Sequence, residues 1–248
     1  GITPEQATAD QLAMIDHFHT FGKAGTIALA QLAQVTPTTR VLDVGGGIGG
    51  PARYLASQVG CDVTVLDLTP AFCEAGAALT EWLHLMERVH FTLGSALAMP
   101  FADASFDVVW TQHAAMNIAD KAQLYREIFR VVKPGGHFVM FDVLAGPVQP
   151  LLFPVPWASD ASFSFLLTPD EQRAALAAAG FTEDAWMDGP ALVAQLSQDG
   201  QSLARGGFGR VGPQLLMGPD ADLRMATVGR DLQEGRAMVA MGSFRRPA

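Results

Sequence analysis

Five glycines fall within the six residues Gly45-Gly46-Gly47-Ile48-Gly49-Gly50, between an apolar run and Pro51. Such a cluster lets the chain turn sharply and lets a ligand approach main-chain N–H groups without interference from Cβ atoms. Two carboxylates accompany it. Asp67 ends the next apolar run, 22 residues after Gly45, where a carboxylate can accept hydrogen bonds from ribose hydroxyls. Asp43 lies two residues before the first glycine, among Val41, Leu42 and Val44. A buried carboxylate there is costly unless it orders the loop N–H groups or faces a ligand's amino group. Both roles stay open.

The glycines alone fit two cofactors. Gly45, Gly47 and Gly50 satisfy the GxGxxG pattern of NAD binders, and Gly45, Gly47 and Gly49 satisfy the GxGxG pattern of S-adenosylmethionine (SAM) binders. Asp43 favours the second, because SAM carries an ammonium where NAD carries a pyrophosphate. A further set of chemically capable residues lies in Thr111-Gln112-His113-Ala114-Ala115-Met116-Asn117. A histidine side chain ordinarily titrates near neutral pH, which makes His113 the candidate general base, or else it is a loop histidine that shapes a pocket. Asn117 is a candidate for orienting an acceptor. His17 and His19, on either side of Phe18, either close over the site or lie on the surface. The apolar, proline-stiffened run Leu151 to Trp157 reads as a substrate lid or as core, with Phe163 and Phe165 behind it. No cluster has the spacing of metal ligands.

These residues need a frame that brings them to one end of a sheet. Short apolar strands are expected at 40–44, 63–66, 89–93, 107–110 and 137–141, a sixth near 182–187 and a last over 237–245. Helices are expected over 51–59, 70–86 and 120–132, and Thr168-Pro169-Asp170-Glu171 reads as a capping box that starts another, ended by Gly180. Leu12, Ile15, Phe18, Ile27 and Leu32 suggest two N-terminal helices interrupted near Gly22 and Gly25. The alternation predicts an α/β, doubly wound, Rossmann-like sheet of about seven strands with the last antiparallel. One domain is expected, divided into an N-terminal helical cap (1–36), a cofactor-binding core (37–143) and a lid with C-terminal strands (144–248). Residues 189–218 are the least legible.

Composition narrows the partners. The 248 residues are 49% hydrophobic and 17% charged, enough for a sizeable core. A formal net charge of -9 with no basic run speaks against a nucleic-acid partner. No apolar run reaches membrane-spanning length, and Gly1-Ile2-Thr3-Pro4-Glu5 has no signal-peptide character, so no membrane partner is expected. Cys61 and Cys73 alone offer no disulfide framework, as expected of a cytoplasmic protein. Oligomeric state stays open.

On these motifs the chain resembles the small-molecule branch of class I SAM-dependent methyltransferases, which includes ubiquinone/menaquinone, tocopherol and sarcosine/dimethylglycine methyltransferases. The carriers are VLDVGGGIGGPARYLA (41–56), VTVLDLTP (63–70), GSALAMPFADASFDVVW (94–110) and the turn Arg130-Val131-Val132-Lys133-Pro134-Gly135-Gly136. The last two are absent, in this order, from NAD oxidoreductases. The resemblance implies SAM as cofactor, with Gly45, Gly47 and Gly49 around its methionine portion. It implies Asp67 and Leu68 at the ribose and adenine edge, Ser95 and Ala96 at the adenine amino region, and Gln112 on the cofactor face. Ser95 departs from the usual Asp, and Gly46 stands where a small residue such as Cys is common and should be harmless. The activity implied is methyl transfer to a small, lipophilic or aromatic molecule. The alternatives are a SAM-binding protein without transfer and, less favoured, an NAD(P)-dependent oxidoreductase.

Overall fold

The computed structural model describes residues 7–17, 19–189, 192 and 217–248; Phe18 and nearly all of the segment 189–218 lie outside the described residues. Seven strands form one sheet in the order β3-β2-β1-β4-β5-β7-β6. They are β1 (Arg40–Val44), β2 (Asp62–Asp67), β3 (Val89–Leu93), β4 (Phe106–Gln112), β5 (Val132–Ala145), β6 (Thr182–Asp188) and β7 (Ala237–Arg245). The first five pair in parallel, and β7 runs antiparallel to both β5 and β6. The doubly wound sheet with an antiparallel last strand is therefore the fold expected from the sequence.

Period-two alternation assigns each side chain to a face. Val41, Trp110, Val139 and Phe141 join one buried cluster, packed by α2 (Gly22–Ala33) and α3 (Gly50–Tyr54). Leu42, Val44, Val109, Phe138 and Met140 join the other, packed by α5 (Lys121–Val131) and α6 (Pro169–Ala178). Asp43 has the parity of the first face, so it occupies a core position beneath the N-terminal helices. After β1 the chain winds to β2 and β3 on one side, then crosses to β4 on the other. Their carboxyl ends thus flank the switch point where ligands of such sheets bind.

Several boundaries differ from the sequence reading for local reasons. Gly25 does not interrupt a helix: it lies inside α2, where a Cβ would come 2.7 Å from the Phe141 ring. The break instead spans the residues between α1 (Ala9–Asp16) and α2. The expected helix over 51–59 is α3 continued by one π-helical turn over Leu55–Val59. The helix α4 (Pro70–Trp82) ends four residues early, where His84 turns to a φ of +55°. Strand β5 starts at Val132, because Gly135 N–H donates to Arg246 O and Arg246 N–H to Gly136 O, extending the pairing past Pro134. The capping box at Thr168 and Glu171 is formed. A helix absent from the sequence reading, α7 (Ala221–Gln233), packs beside β7 and on the segment after β5.

Candidate functional site

The glycine loop leaves β1 at the switch point and is folded by its own backbone. Gly45 N–H donates to Leu66 O at 2.7 Å and Gly49 N–H to Gly46 O at 2.9 Å. Gly47 holds a φ of +57° with open space where a Cβ would stand, which makes it the point of the loop that a ligand can approach most closely. Gly46 differs. A Cβ there would come 2.6 Å from Asp43 Oδ2 and 2.9 Å from a Val65 methyl. A side chain at Gly46 would have to displace the carboxylate beneath the loop.

That carboxylate is the site's least satisfied group. Asp43 is 1% exposed, and its Oδ2 has no hydrogen-bond partner. Burial, with Asp67 nearby as a second negative charge, pushes its pKa up to about 7. Asp67 is in the opposite situation. Its Oδ2 accepts Gly47 N–H and its Oδ1 accepts Thr69 N–H, both at 2.9 Å. Each oxygen keeps a second lone pair, so the anchor of the loop can still accept ribose hydroxyls. Beyond it, Leu68 and Leu93 at the ends of β2 and β3 are 70% and 56% exposed, an apolar edge suited to a purine face. Ser95 Oγ accepts Leu97 N–H at 3.1 Å and keeps its own hydrogen to donate. Ala96 packs at the edge of the second core cluster. An orphaned buried carboxylate, an open glycine cradle and a ribose-competent acid together fit a nucleoside that carries an ammonium.

The histidines are not on the surface, which corrects the reading that places His17 and His19 there. Thr26 Oγ1 lies 2.9 Å from His17 Nδ1 and 3.1 Å from His19 Nε2. His19 Nδ1 lies 3.0 Å from Gln112 Nε2. The His113 Nδ1 contact with Phe141 O at 3.2 Å requires a hydrogen on Nδ1, because a carbonyl only accepts. His113 Nε2 is then an acceptor, taken up by Thr20 Oγ1 at 2.9 Å and Thr20 N–H at 3.3 Å. The end of β4 is thereby tied to the turn between α1 and α2. Burial is the main reason all three histidines are held neutral, with pKa values lowered to about 3.

This neutrality makes a testable pH dependence. A histidine in the unfolded chain takes a proton near 6.5, whereas the fold refuses it until about 3. Its contribution is therefore whole above about pH 6.5 and is lost as the pH falls toward 3. His19→Gln removes one such group. The stability gap between the parent and the variant should narrow below pH 6.5 by up to about 1.4 kcal/mol per pH unit. Urea midpoints from pH 7.5 to 4.5 measure it, and a constant gap would refute the buried neutral state.

Asn117 closes the other side. Its Nδ2 donates to Trp157 O at 2.8 Å and Phe163 O at 2.9 Å, and Phe165 N–H donates to Met116 O at 2.8 Å. The turn after β4 thus carries the segment after β5. In that segment Val155 and Ala158 form a small core of their own with Val228 of α7, bordered by Leu151, Phe153 and Trp157. Phe163 does not pack behind it: it is 59% exposed. Sequence reasoning missed Asp142, a buried acid in the apolar strand β5 whose Oδ1 accepts Val143 N–H at 3.0 Å and whose pKa burial pushes up to about 7. Its signal was available, since it interrupts an apolar strand as Asp43 does. Reasoning from sequence also missed Asp16 and Arg53, an ion pair of 2.7 Å that ties α1 to α3. No group of metal-ligating side chains occurs among the described residues, and no described helix is long and apolar enough to cross a membrane.

Residues 42–140 match a family model described as a methyltransferase domain. Over 117 residues, 47% of the chain, it is 37% identical to a glycine/sarcosine/dimethylglycine N-methyltransferase of Actinopolyspora halophila. Over 128 residues, 52% of the chain, it is 39% identical to a 2-methyl-6-phytyl-1,4-hydroquinone methyltransferase of Synechocystis. The chain spans 21% and 38% of those relatives' own lengths. Among solved structures it resembles the [4+2]-cyclase SpnF, with TM-score 0.68 and 22% identity over 94% of this chain and 84% of that one. It also resembles a geranyl diphosphate C-methyltransferase from Streptomyces coelicolor crystallised with S-adenosyl-L-homocysteine, with TM-score 0.68 and 21% identity over 91% and 76% of the two chains. At such identities the structural likeness shows the shared fold.

Proposed function

We infer that this chain, whose residues 42–140 match a methyltransferase domain, is of the class I, SAM-dependent type and transfers a methyl group from SAM to a small lipophilic or aromatic acceptor. The observation that carries the reading is the unpartnered Oδ2 of buried Asp43 under the glycine loop. A carboxylate there suits the ammonium of SAM and would repel the pyrophosphate of NAD. Gly45, Gly46, Gly47 and Gly49 let the methionine portion lie close against the main chain of the loop. Asp67, with Leu68, Ser95 and Ala96, supports a role at the ribose and adenine. Gln112 stands at the cofactor face, where it is held by His19.

SAM, when bound, supplies an electrophilic methyl on a sulfonium whose thioether leaves readily. The protein's work is alignment and exclusion of water. The bond to sulfur breaks with its electron pair left on sulfur, the new bond forms to the acceptor, and a proton on the accepting atom passes to solvent or to a base. His113 serves as that base only when Thr20 withdraws from its Nε2; while the two are bonded it fixes the turn. Asn117 keeps Oδ1 to orient an acceptor once both its hydrogens are spent on the lid. The cap at 1–36, core at 37–143 and lid at 144–248 are one functional unit in this reading. Two free cysteines suit a cytoplasmic setting.

Thermal unfolding with SAM, S-adenosylhomocysteine, NAD and NADP tests the cofactor. Ligand at 100 times its dissociation constant adds about 2.7 kcal/mol. We expect a shift with the two adenosyl-sulfur ligands that Asp67→Ala abolishes, and S-adenosylhomocysteine formation when acceptors are supplied. A shift with NAD or NADP alone would sink the reading. Binding without any turnover over a broad acceptor screen would favour a SAM-binding protein that does not transfer.

A further inference from the structure

A cavity of about 390 Å³ opens beside the turn after β4, walled by Asn117, Trp157, Phe163, Met217 and Arg224. Asn117 follows β4 and Trp157 follows β5, so the cavity lies on the carboxyl-end side of the sheet, and its size is that of a small-molecule site. Its apolar wall is fixed in place. Trp157 is anchored by its indole N–H, which donates to Ser164 Oγ at 2.9 Å, and by its carbonyl, which accepts from Asn117. Two polar side chains, Arg224 and Asn117, border this wall. Arg224 spends one hydrogen of Nη1 on Val155 O at 2.7 Å and one of Nη2 on Ser159 Oγ at 2.8 Å. Its buried Nε–H has no acceptor, and no carboxylate pairs with it among the described residues. Asn117, with both hydrogens committed, has only Oδ1 left, an acceptor that calls for a donor.

We propose that this cavity holds the methyl acceptor, and that the acceptor is an apolar or aromatic acid whose anion pairs with Arg224 and whose hydroxyl or amino group donates to Asn117. The inference rests on the methyl-transfer reading and adds to it the charge of the substrate. Beyond its two bonds to the lid, the planar guanidinium keeps a second hydrogen on each of Nη1 and Nη2, and a carboxylate or phosphate oxygen is the acceptor they match. The ring or chain between the two polar ends lies against Trp157, Phe163 and Met217. The same side chain then does two things: it props the turn from Val155 to Ser159 and reads the substrate's charge.

Isothermal titration of the full chain, saturated with S-adenosylhomocysteine, tests this with 1-naphthoate and 4-hydroxycinnamate against their methyl esters. Each pair keeps the ring and removes the charge. We expect the acids to bind at least about tenfold more tightly than the esters, as a charge-assisted bond requires. Arg224→Gln should erase the difference and Arg224→Lys keep part of it. Because Arg224 also holds the lid, the comparison of acid with ester on the unaltered chain decides even if Arg224→Gln unfolds. Equal affinities, or no binding by either acid at millimolar concentration, would overturn the assignment. A melting shift with S-adenosylhomocysteine in the same samples keeps the methyl-transfer reading standing in that case, whereas its absence would remove that reading and this one together.

Discussion

Asp43→Asn will weaken S-adenosylhomocysteine binding on the order of 100-fold, as expected for the loss of a charged hydrogen bond worth about 2–3 kcal/mol, and will raise the melting temperature of the ligand-free protein. Both effects come from one atom. Oδ2 is buried with no partner, so the ionised form is expensive to the fold until a cation arrives. Holding the carboxyl at a pKa of about 7 instead of 3.8 costs the folded protein on the order of 4 kcal/mol at alkaline pH. Asparagine removes the charge but still lacks partners, so about half should be recovered, roughly 4–8 °C for a chain of this size. The sign with pH follows. Ligand-free Asp43 is protonated below about 7 and must lose that proton to meet an ammonium, so affinity should fall about tenfold per unit as the pH drops below 7. The asparagine variant should bind with no such slope. Calorimetry from pH 5.5 to 8.5 with both proteins measures this, and parallel profiles would show that Asp43 serves the loop alone.

What the sequence makes legible is what depends on neighbours along the chain. The strands at 40–44 and 89–93 carry apolar runs bounded by turn residues, and the structure keeps both to the residue. Asp43 and Asp67 stood out because a carboxylate in such a run needs a reason. The histidines were misread because their burial is a tertiary event. Thr20 meets His113 across 93 positions, and nothing near His17 or His19 in sequence announces it. Asn117 was placed beside the acceptor on sequence grounds, yet its bonds to Trp157 and Phe163 depend on a lid fold that no local pattern encodes. Arg53 drew no expectation from its sequence neighbours. Its burial follows from α1 lying across the first turn of α3, where a Cβ on Gly50 would come 2.2 Å from the Asp16 carbonyl.

That crossing predicts the largest stability effect in the molecule. Arg53 and Asp16 keep only 2% and 3% of their side-chain surface and meet at 2.7 Å. Arg53 Nη1 also donates to Gly76 O and Thr80 Oγ1, so one guanidinium joins α1, α3 and α4. Arg53→Met should cost about 3–5 kcal/mol, because it strands a buried carboxylate rather than because the pair itself is strongly favourable. Burial already raises the Asp16 pKa against the pull of Arg53, and Asp16 Oδ1 has no hydrogen bond to fall back on. Removing both charges, as Arg53→Met with Asp16→Leu, should recover at least half of the loss. Urea unfolding of the two single variants and the double completes the cycle. If the double variant is as unstable as the sum of the singles, the two groups are uncoupled, and the N-terminal helix must be held over the glycine loop by the histidine and threonine bonds alone.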